Sequence, residues 1–373
     1  MSGRVLVTGG AGFIGSHLVD SLVSDGERVT VLDNLDPLAH PDGAPPDHLN
    51  PEAEMIEGDL RDRREVERAL EGVDRVFHLG GSVGNGESML RVRAAVDANA
   101  GGTATLLEAV LAQRERIHRL VVASSMVVYG EGAYRCSTHG EVAPGLRSSE
   151  QLARREWEPA CPRCGLALEP VATAEDTPLR PASVYGITKR AQEEMALVLG
   201  RAHDVETVAL RYLNTYGPRQ ALGNPYTGVA AIFAARMLSG KRPLVFEDGE
   251  QQRDLVHVAD VVRATRAAMD APQAPGHAIN VATGRRIRVR ELAERLAGAL
   301  NSGLEPELTG QFRAGDIRHC FADVTLAREV LGFRAERTLD DGLPELAEWV
   351  GRQAVHERGD EALAELRAHG LVG

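Results

Sequence analysis

The feature that most restricts the fold is an alternation running through the first half of the chain. Short apolar, β-branched runs, "RVLVTGG", "RVTVLDN", "AEMIEGD", "RVFHLGG" and "LVVASSMVVYG", are separated by stretches of helical periodicity. Runs without a polar face belong to parallel strands covered by helices on both sides, whereas a strand with one wet face would alternate. Helical patterns at 14–24, 64–70 and 103–114 supply the cover, and a later run, "ETVALRYLN", extends the sheet. The expectation is an α/β fold built on a doubly wound parallel sheet of Rossmann type. At 373 residues with 43% apolar content, the chain can bury that core and still form a smaller second part.

Residues 131–180 break the rhythm: they are rich in Pro, Arg and Glu, lack sustained periodicity and read as an insertion. Helical pattern resumes at 185–200. Beyond "LRYLNTYGPRQ" short elements mix with Gly and Pro turns, and "GRQAVHERGDEALAELRAHGLVG" reads as a charged surface helix and tail. The predicted division is a core at 1–130, the insertion at 131–180, a helix and return strand of the core at 181–222, and a C-terminal part at 223–373.

The formal charge of −12 is spread through the sequence, with no basic face for nucleic acid or an anionic membrane. No apolar run approaches the roughly 20 residues of a membrane span, and the first strand starts without a signal-peptide pattern, so a cytoplasmic location is expected. Four cysteines in so long a chain do not make a disulfide framework; a reducing compartment leaves them as thiols or metal ligands.

"VLVTGGAGFIGSH" places Gly9, Gly12 and Gly15, with Phe13 and Ile14 among them, between a strand and a helix. Glycines permit the tight turn and let the backbone approach a pyrophosphate, which sits on the helix N-terminus where N–H groups are unpaired. Asp33, followed by Asn34, ends the next strand. A carboxylate there accepts both adenosine ribose hydroxyls and repels a 2′-phosphate, which favours NAD over NADP. Asp59 and Leu60 in "EGDLRD" fall beside the adenine on this reading, although Asp59 also suits a helix N-cap.

Tyr185 and Lys189 in "SVYGITKRAQEE" are four apart, on one face of a helix. An ammonium nearby is expected to lower the phenol's pKa, so that Tyr185 takes a proton from a sugar hydroxyl while hydride leaves the same carbon. Ser125 stands at the carboxyl end of a buried strand, where open α/β sheets bind ligands, and is placed to hydrogen-bond the substrate oxygen. An isolated Tyr and Lys at this spacing is more often an ordinary helix face; the combination with Ser125 and the glycine turn is what carries the reading.

The sequence resembles extended short-chain dehydrogenases/reductases, and among them nucleotide-sugar epimerases. "TGGAGFIGSH", "DNL", "GDLRD", "SSMVVYG", "YGITK", "LRYLNTYGPRQ", "RDLVHVAD" and "RAGDIRH" occur in that family's order. The resemblance implies that Asn99 lies near the nicotinamide, that Asn214 contacts the nucleotide-sugar diphosphate, and that Arg253 and Arg313 clamp it. Related 4,6-dehydratases carry an Asp-Glu pair before "VYG", and decarboxylases a Glu. Here Met126 and Val127 stand at those positions and exchange no proton. Oxidation and re-reduction at C4 of a dTDP- or UDP-(deoxy)hexose is the expected reaction. A one-way NAD-dependent reductase or dehydrogenase, and a catalytically silent NAD and nucleotide-sugar sensor, remain the alternatives.

Within the insertion, Cys136 and His139, then Cys161 and Cys164, give two pairs of soft ligands at tight-turn spacing, which suits tetrahedral zinc in a closed structural site. Scattered thiols or a redox Cys-x-x-Cys are the plainer readings, and Cys320 reads as buried and inert. The insertion is expected near the sugar pocket, as a lid or an oligomer contact. Zinc-bearing insertions of this pattern resemble a bacterial subgroup acting on deoxyhexoses such as dTDP-L-rhamnose. The resemblance also implies a homodimer formed through the Tyr185–Lys189 helix.

Overall fold

Alternate residues of the first strand, Arg4–Thr8 (β1), point into different cores: Val5 and Val7 into one, Leu6 into the other. This two-sided burial is why the run reads as continuously apolar. β1 lies in a seven-stranded sheet with Arg28–Asp33 (β2), Glu54–Glu57 (β3), Val73–His78 (β4), Arg119–Ser125 (β5), Glu206–Tyr212 (β6) and Ala278–Val281 (β7). The order is β7-β6-β5-β4-β1-β2-β3, every pairing parallel. The chain winds outward from β1 to β3 and then returns to add β4 on the other side of β1. That reversal opens a crevice at the carboxyl ends of the strands. The computed structural model describes residues 3–222, 224, 226, 228–353 and 358–373.

One face of the sheet is covered by helices Phe13–Ser24 (α1) and Val258–Asp270, the other by Arg63–Ala69 (α2), Gly102–Ala112 (α3) and Val184–His203 (α4). The expected helices are all present, with ends shifted by a few residues. α4 runs past Gly200, where the sequence suggested a stop, because that glycine serves packing: a Cβ would overlap the Thr207 side chain on β6. Asp204, in the left-handed conformation at φ 56°, ends the helix instead.

The C-terminal part is not separate from the core, since Val258–Asp270 and β7 return to the sheet. Its own apolar centre is made by helices Val229–Leu238, Val289–Ala299 and Leu339–Val350. The insertion forms a three-stranded antiparallel sheet from Tyr134–Cys136, Gly140–Val142 and Glu169–Pro170, plus a short helix, Ser149–Ala153. Its apolar core is only Tyr134, Cys136, Cys161 and Leu168, with Val142 against them. Among the described residues no helix is long and apolar enough to cross a membrane.

Candidate active site

A cleft of about 620 Å³ opens at the reversal point. Gly9, at φ +68°, turns the chain out of β1, and at Gly15 any Cβ would overlap the Gly9 carbonyl, so the start of α1 packs directly on the turn. No side chain caps α1, and Gly12, Phe13, Ile14 and Gly15 line the cleft with the helix's first-turn N–H groups among them. Around a Cβ placed on Gly12 only the Gly9 carbonyl lies near, at 3.3 Å, which leaves space for a phosphate to approach. Asp33 ends β2 at the cleft wall, its oxygens accepting from the N–H groups of Ala11 and Leu35 at 3.1 and 3.0 Å. Asn34, Asp59 and Leu60 line the same end. The Arg61 guanidinium bonded to Asp59 overcomes its partial burial and holds that carboxyl at about 2; Asn34 Nδ2 donates to it at 3.3 Å. The expected N-cap role passes to Asp62, which caps α2. A Gly-rich helix start and an acid at the end of β2 fit a dinucleotide.

Ser125, Tyr185 and Lys189 all line the same cleft. Ser125 accepts from the Val127 N–H at 3.4 Å, which bends the chain into the turn Met126–Val128 and directs the hydroxyl toward the Tyr185 phenol, its hydrogen-bond partner. Ser183 caps α4, accepting from the Gly186 N–H at 3.1 Å and donating to Asn85 Oδ1 at 2.9 Å, while the Tyr185 N–H donates to Ser88 Oγ at 2.9 Å. The start of α4 is thereby tied to helix Asn85–Leu90.

The electrostatics differ from expectation. Burial raises the Tyr185 phenol to about 12, only partly offset by its bond to Ser125, and burial lowers Lys189 to about 8 against the attraction of Glu193. Desolvation is the largest cause for both groups. Glu193 was not anticipated. It lies one turn beyond Lys189, 2% exposed, accepting from Ser124 Oγ at 2.6 Å and from Arg211 Nη2 at 2.6 Å. The repeated spacing of four from Tyr185 to Lys189 to Glu193 was the available signal. His78, fully buried below Lys189, is held neutral by desolvation at about 3.

Two expected residues stand elsewhere. Asn99 lies behind the cleft wall, fully buried, with Oδ1 accepting from the Ser82 N–H at 2.7 Å and Nδ2 donating to Ser82 O and Thr188 Oγ1. It holds the wall and does not line it. Arg313 is not among the lining residues: its guanidinium stacks 4.5 Å from the Phe246 ring centre and pairs at 2.8 Å with Asp316, which does line the cleft. Asn214 and Arg253 do line the cleft, and Asn214 Oδ1 is buried without a partner. Arg219, ion-paired with Asp20 at 2.7 Å, also reaches the cleft and was missed.

Cys136, His139, Cys161 and Cys164 converge, with all four ligand atoms within 4.8 Å of one another. Cys136 Sγ is 3.7 Å from Cys164 Sγ and 3.6 Å from His139 Nδ1, and Cys161 Sγ is 3.5 Å from His139 Nδ1. Thiolates at ~2.3 Å from a tetrahedral zinc stand roughly 3.8 Å apart, so the cluster has the dimensions of such a site. No residue of 131–180 lines the cleft.

The model of the NAD dependent epimerase/dehydratase family matches residues 5–148 and 165–282, its interruption falling inside the insertion. The chain belongs to this family. It is 32% identical over 352 residues to dTDP-L-rhamnose 4-epimerase of Burkholderia thailandensis, covering 94% of this chain and 95% of that one. Among solved structures it is similar to UDP-glucose 4-epimerase of Thermotoga maritima with UDP-glucose, at 31% identity and TM-score 0.75, covering 94% and 99% of the two chains. UDP-glucose 4-epimerase of Thermus thermophilus in complex with NAD is similar at 29% identity and TM-score 0.73, covering 94% and 100%. Family membership accounts for the glycine turn and the Tyr185–Lys189 helix within one epimerase-like core.

Proposed function

We propose that the protein is a nucleotide-sugar 4-epimerase acting on a dTDP- or UDP-(deoxy)hexose by transient oxidation at C4. When bound, NAD supplies the hydride acceptor and, once reduced, the hydride donor. Gly12, Phe13, Ile14 and Gly15 would hold its pyrophosphate, and Asp33 the adenosine ribose. Ser125 orients the C4 hydroxyl, and the Tyr185–Lys189 pair takes its proton and later returns it to the C4 oxygen, after the 4-keto sugar has turned to offer its other face to the cofactor. Asn214 and Arg253 hold the diphosphate, so that the sugar can turn while the nucleotide stays fixed.

The observation that carries this reading is the meeting of Ser125, Tyr185 and Lys189 in one cleft with the glycine turn, with Met126 and Val127 beside them. A dehydration needs an acid and a base at those two positions, and a thioether and an isopropyl group offer neither. The similarity to the Burkholderia enzyme named for dTDP-L-rhamnose supports a deoxyhexose.

We assign Cys136, His139, Cys161 and Cys164 to a structural zinc, because the insertion's few apolar residues are too small a core to order it alone. A homodimer is supported by exposed Val92 and Val96 on the short helix Val92–Val96 and exposed Ile187 and Val198 on the adjoining α4. The test of the activity is to incubate the purified protein, without added cofactor, with dTDP-L-rhamnose and UDP-galactose and follow C4 by NMR. Appearance of the C4 epimer supports the epimerase, stoichiometric NADH would indicate a one-way dehydrogenase, and no change with any nucleotide sugar would refute catalysis.

A further inference from the structure

The insertion touches the rest of the molecule through buried charge. Arg318, 1% exposed, spends all five of its N–H groups on carboxylates: Nε and Nη2 on Glu158 at 2.8 and 2.6 Å, Nη1 on Glu247 and Asp248 at 2.9 and 2.6 Å, and Nη2 on Asp248 at 3.0 Å. Its backbone N–H donates to Glu131 at 2.8 Å. Arg147 of the insertion, side chain 2% exposed, donates to Glu131 at 3.1 Å, to Glu247 at 2.7 Å and to the Asp316 carbonyl at 3.1 Å. Glu247 stands between the two guanidiniums in a left-handed backbone conformation, φ 55°, a strained setting that its two ion pairs and backbone contacts maintain.

Glu158 joins this network to the cleft. His319 Nδ1 accepts from the Gln252 N–H at 3.1 Å, so its proton is on Nε2, which donates to Glu158 at 3.0 Å. The strand His319–Cys320 pairs with Gln252–Arg253. The Arg253 guanidinium donates to the carbonyls of Ile317 and Arg318 at 2.7 and 2.9 Å, and Gly315, Asp316 and Ile317 line the cleft beside it. The segment that carries Arg253's acceptors is itself held from behind by the insertion.

We infer that Glu158 is a positioning residue for diphosphate binding: from outside the cleft it fixes the 315–320 segment through Arg318 and His319, and with it the Arg253 guanidinium. The inference rests on the reading that Arg253 grips the diphosphate. Removing Glu158 takes from the Arg318 guanidinium and the His319 ring their side-chain partner on the insertion, leaving only backbone contacts from Glu131, Gly132 and Arg147 on that side, and the carbonyls that aim Arg253 are held less firmly. Binding of the diphosphate weakens, while the Ser125, Tyr185 and Lys189 chemistry is untouched.

The test uses the full chain with its bound cofactor and metal. In Glu158→Gln and Glu158→Ala, titration with UDP and dTDP should show dissociation constants raised about tenfold, with KM for the nucleotide sugar raised alike and kcat near wild type. Glu156→Gln, an exposed carboxylate of the same insertion, should bind like wild type. Glu158→Gln keeps the side chain's shape, so it carries the test if the alanine variant is unstable. Unchanged dissociation constants in the Glu158 variants, or a fall in kcat with KM unmoved, would overturn the proposal. Arg253→Ala separates the two levels. If it loses nucleotide binding while the Glu158 variants do not, positioning alone fails; if it binds like wild type, the clamp reading fails and takes the proposal with it.

Discussion

Burial moves the two groups of the Tyr185–Lys189 pair in opposite directions, the phenol up to about 12 and the ammonium down to about 8. On the proposed mechanism they share one proton vacancy: once a proton has left, either Lys189 is neutral or Tyr185 is ionised, and both forms can receive a proton from the substrate. That first proton leaves near the lower value, so turnover is expected to rise with pH through a midpoint near 8 and to level off above it, and the positive charge of oxidised nicotinamide shifts the rise to lower pH. In Lys189→Met only the phenol can lose the proton, so the rise moves toward about 12 and the rate at neutral pH falls by roughly 10²–10⁴-fold. Rate measurements from pH 5 to 10 check this, and an unshifted profile would remove Lys189 from the proton path. Tyr185→Phe is expected to abolish epimerisation by a similar factor while nucleotide binding persists. Tyr185 and Lys189 were legible because spacing four on a helix fixes a shared face. Glu193 repeats that spacing but falls outside the recognisable motif. The motif that names Arg313 gives a guanidinium without its partners, which are Phe246 and the cleft-lining Asp316.

At the scale of elements, the parallel strands and their helices were legible from period and glycine alone, since burial on both faces leaves only one consistent pattern. The convergence of the insertion's three Cys and one His was legible too, because paired spacing survives without regular secondary structure. Its docking was not, as Glu158, Glu247 and Arg318 come from three distant stretches that no periodicity relates. Chelation at neutral pH is expected to release one zinc per chain and loosen the insertion while the sheet persists. Trypsin would then cut at Arg154, Arg155 or Arg163, which lie around the ligand loop, and far-UV dichroism would change little. Metal release without new cleavage would contradict a structural role for the ion.

For the whole molecule, the exposed valines and Ile187 on adjoining helices predict association. Val198 is 63% exposed on α4 despite its apolar side chain. Mass measurement in solution should give a dimer, and Val198→Glu should shift the population toward monomer, because a desolvated carboxylate at an apolar contact costs several kcal/mol. A wild-type monomer would refute the assembly. Association was legible only through resemblance, since an apolar stripe on a helix reads the same whether it meets a core or a second subunit. The ionic cluster under the insertion also limits how the protein can be altered. Excising 131–180 would remove Arg147, Glu131 and Glu158 together, uncover Arg318 and Glu247, and leave them only each other and Asp248 as ion-pair partners. A shortened chimera would therefore need compensating changes at 247 and 318 made in the same step, and a graft of the zinc module onto another epimerase would need those two partners carried with it.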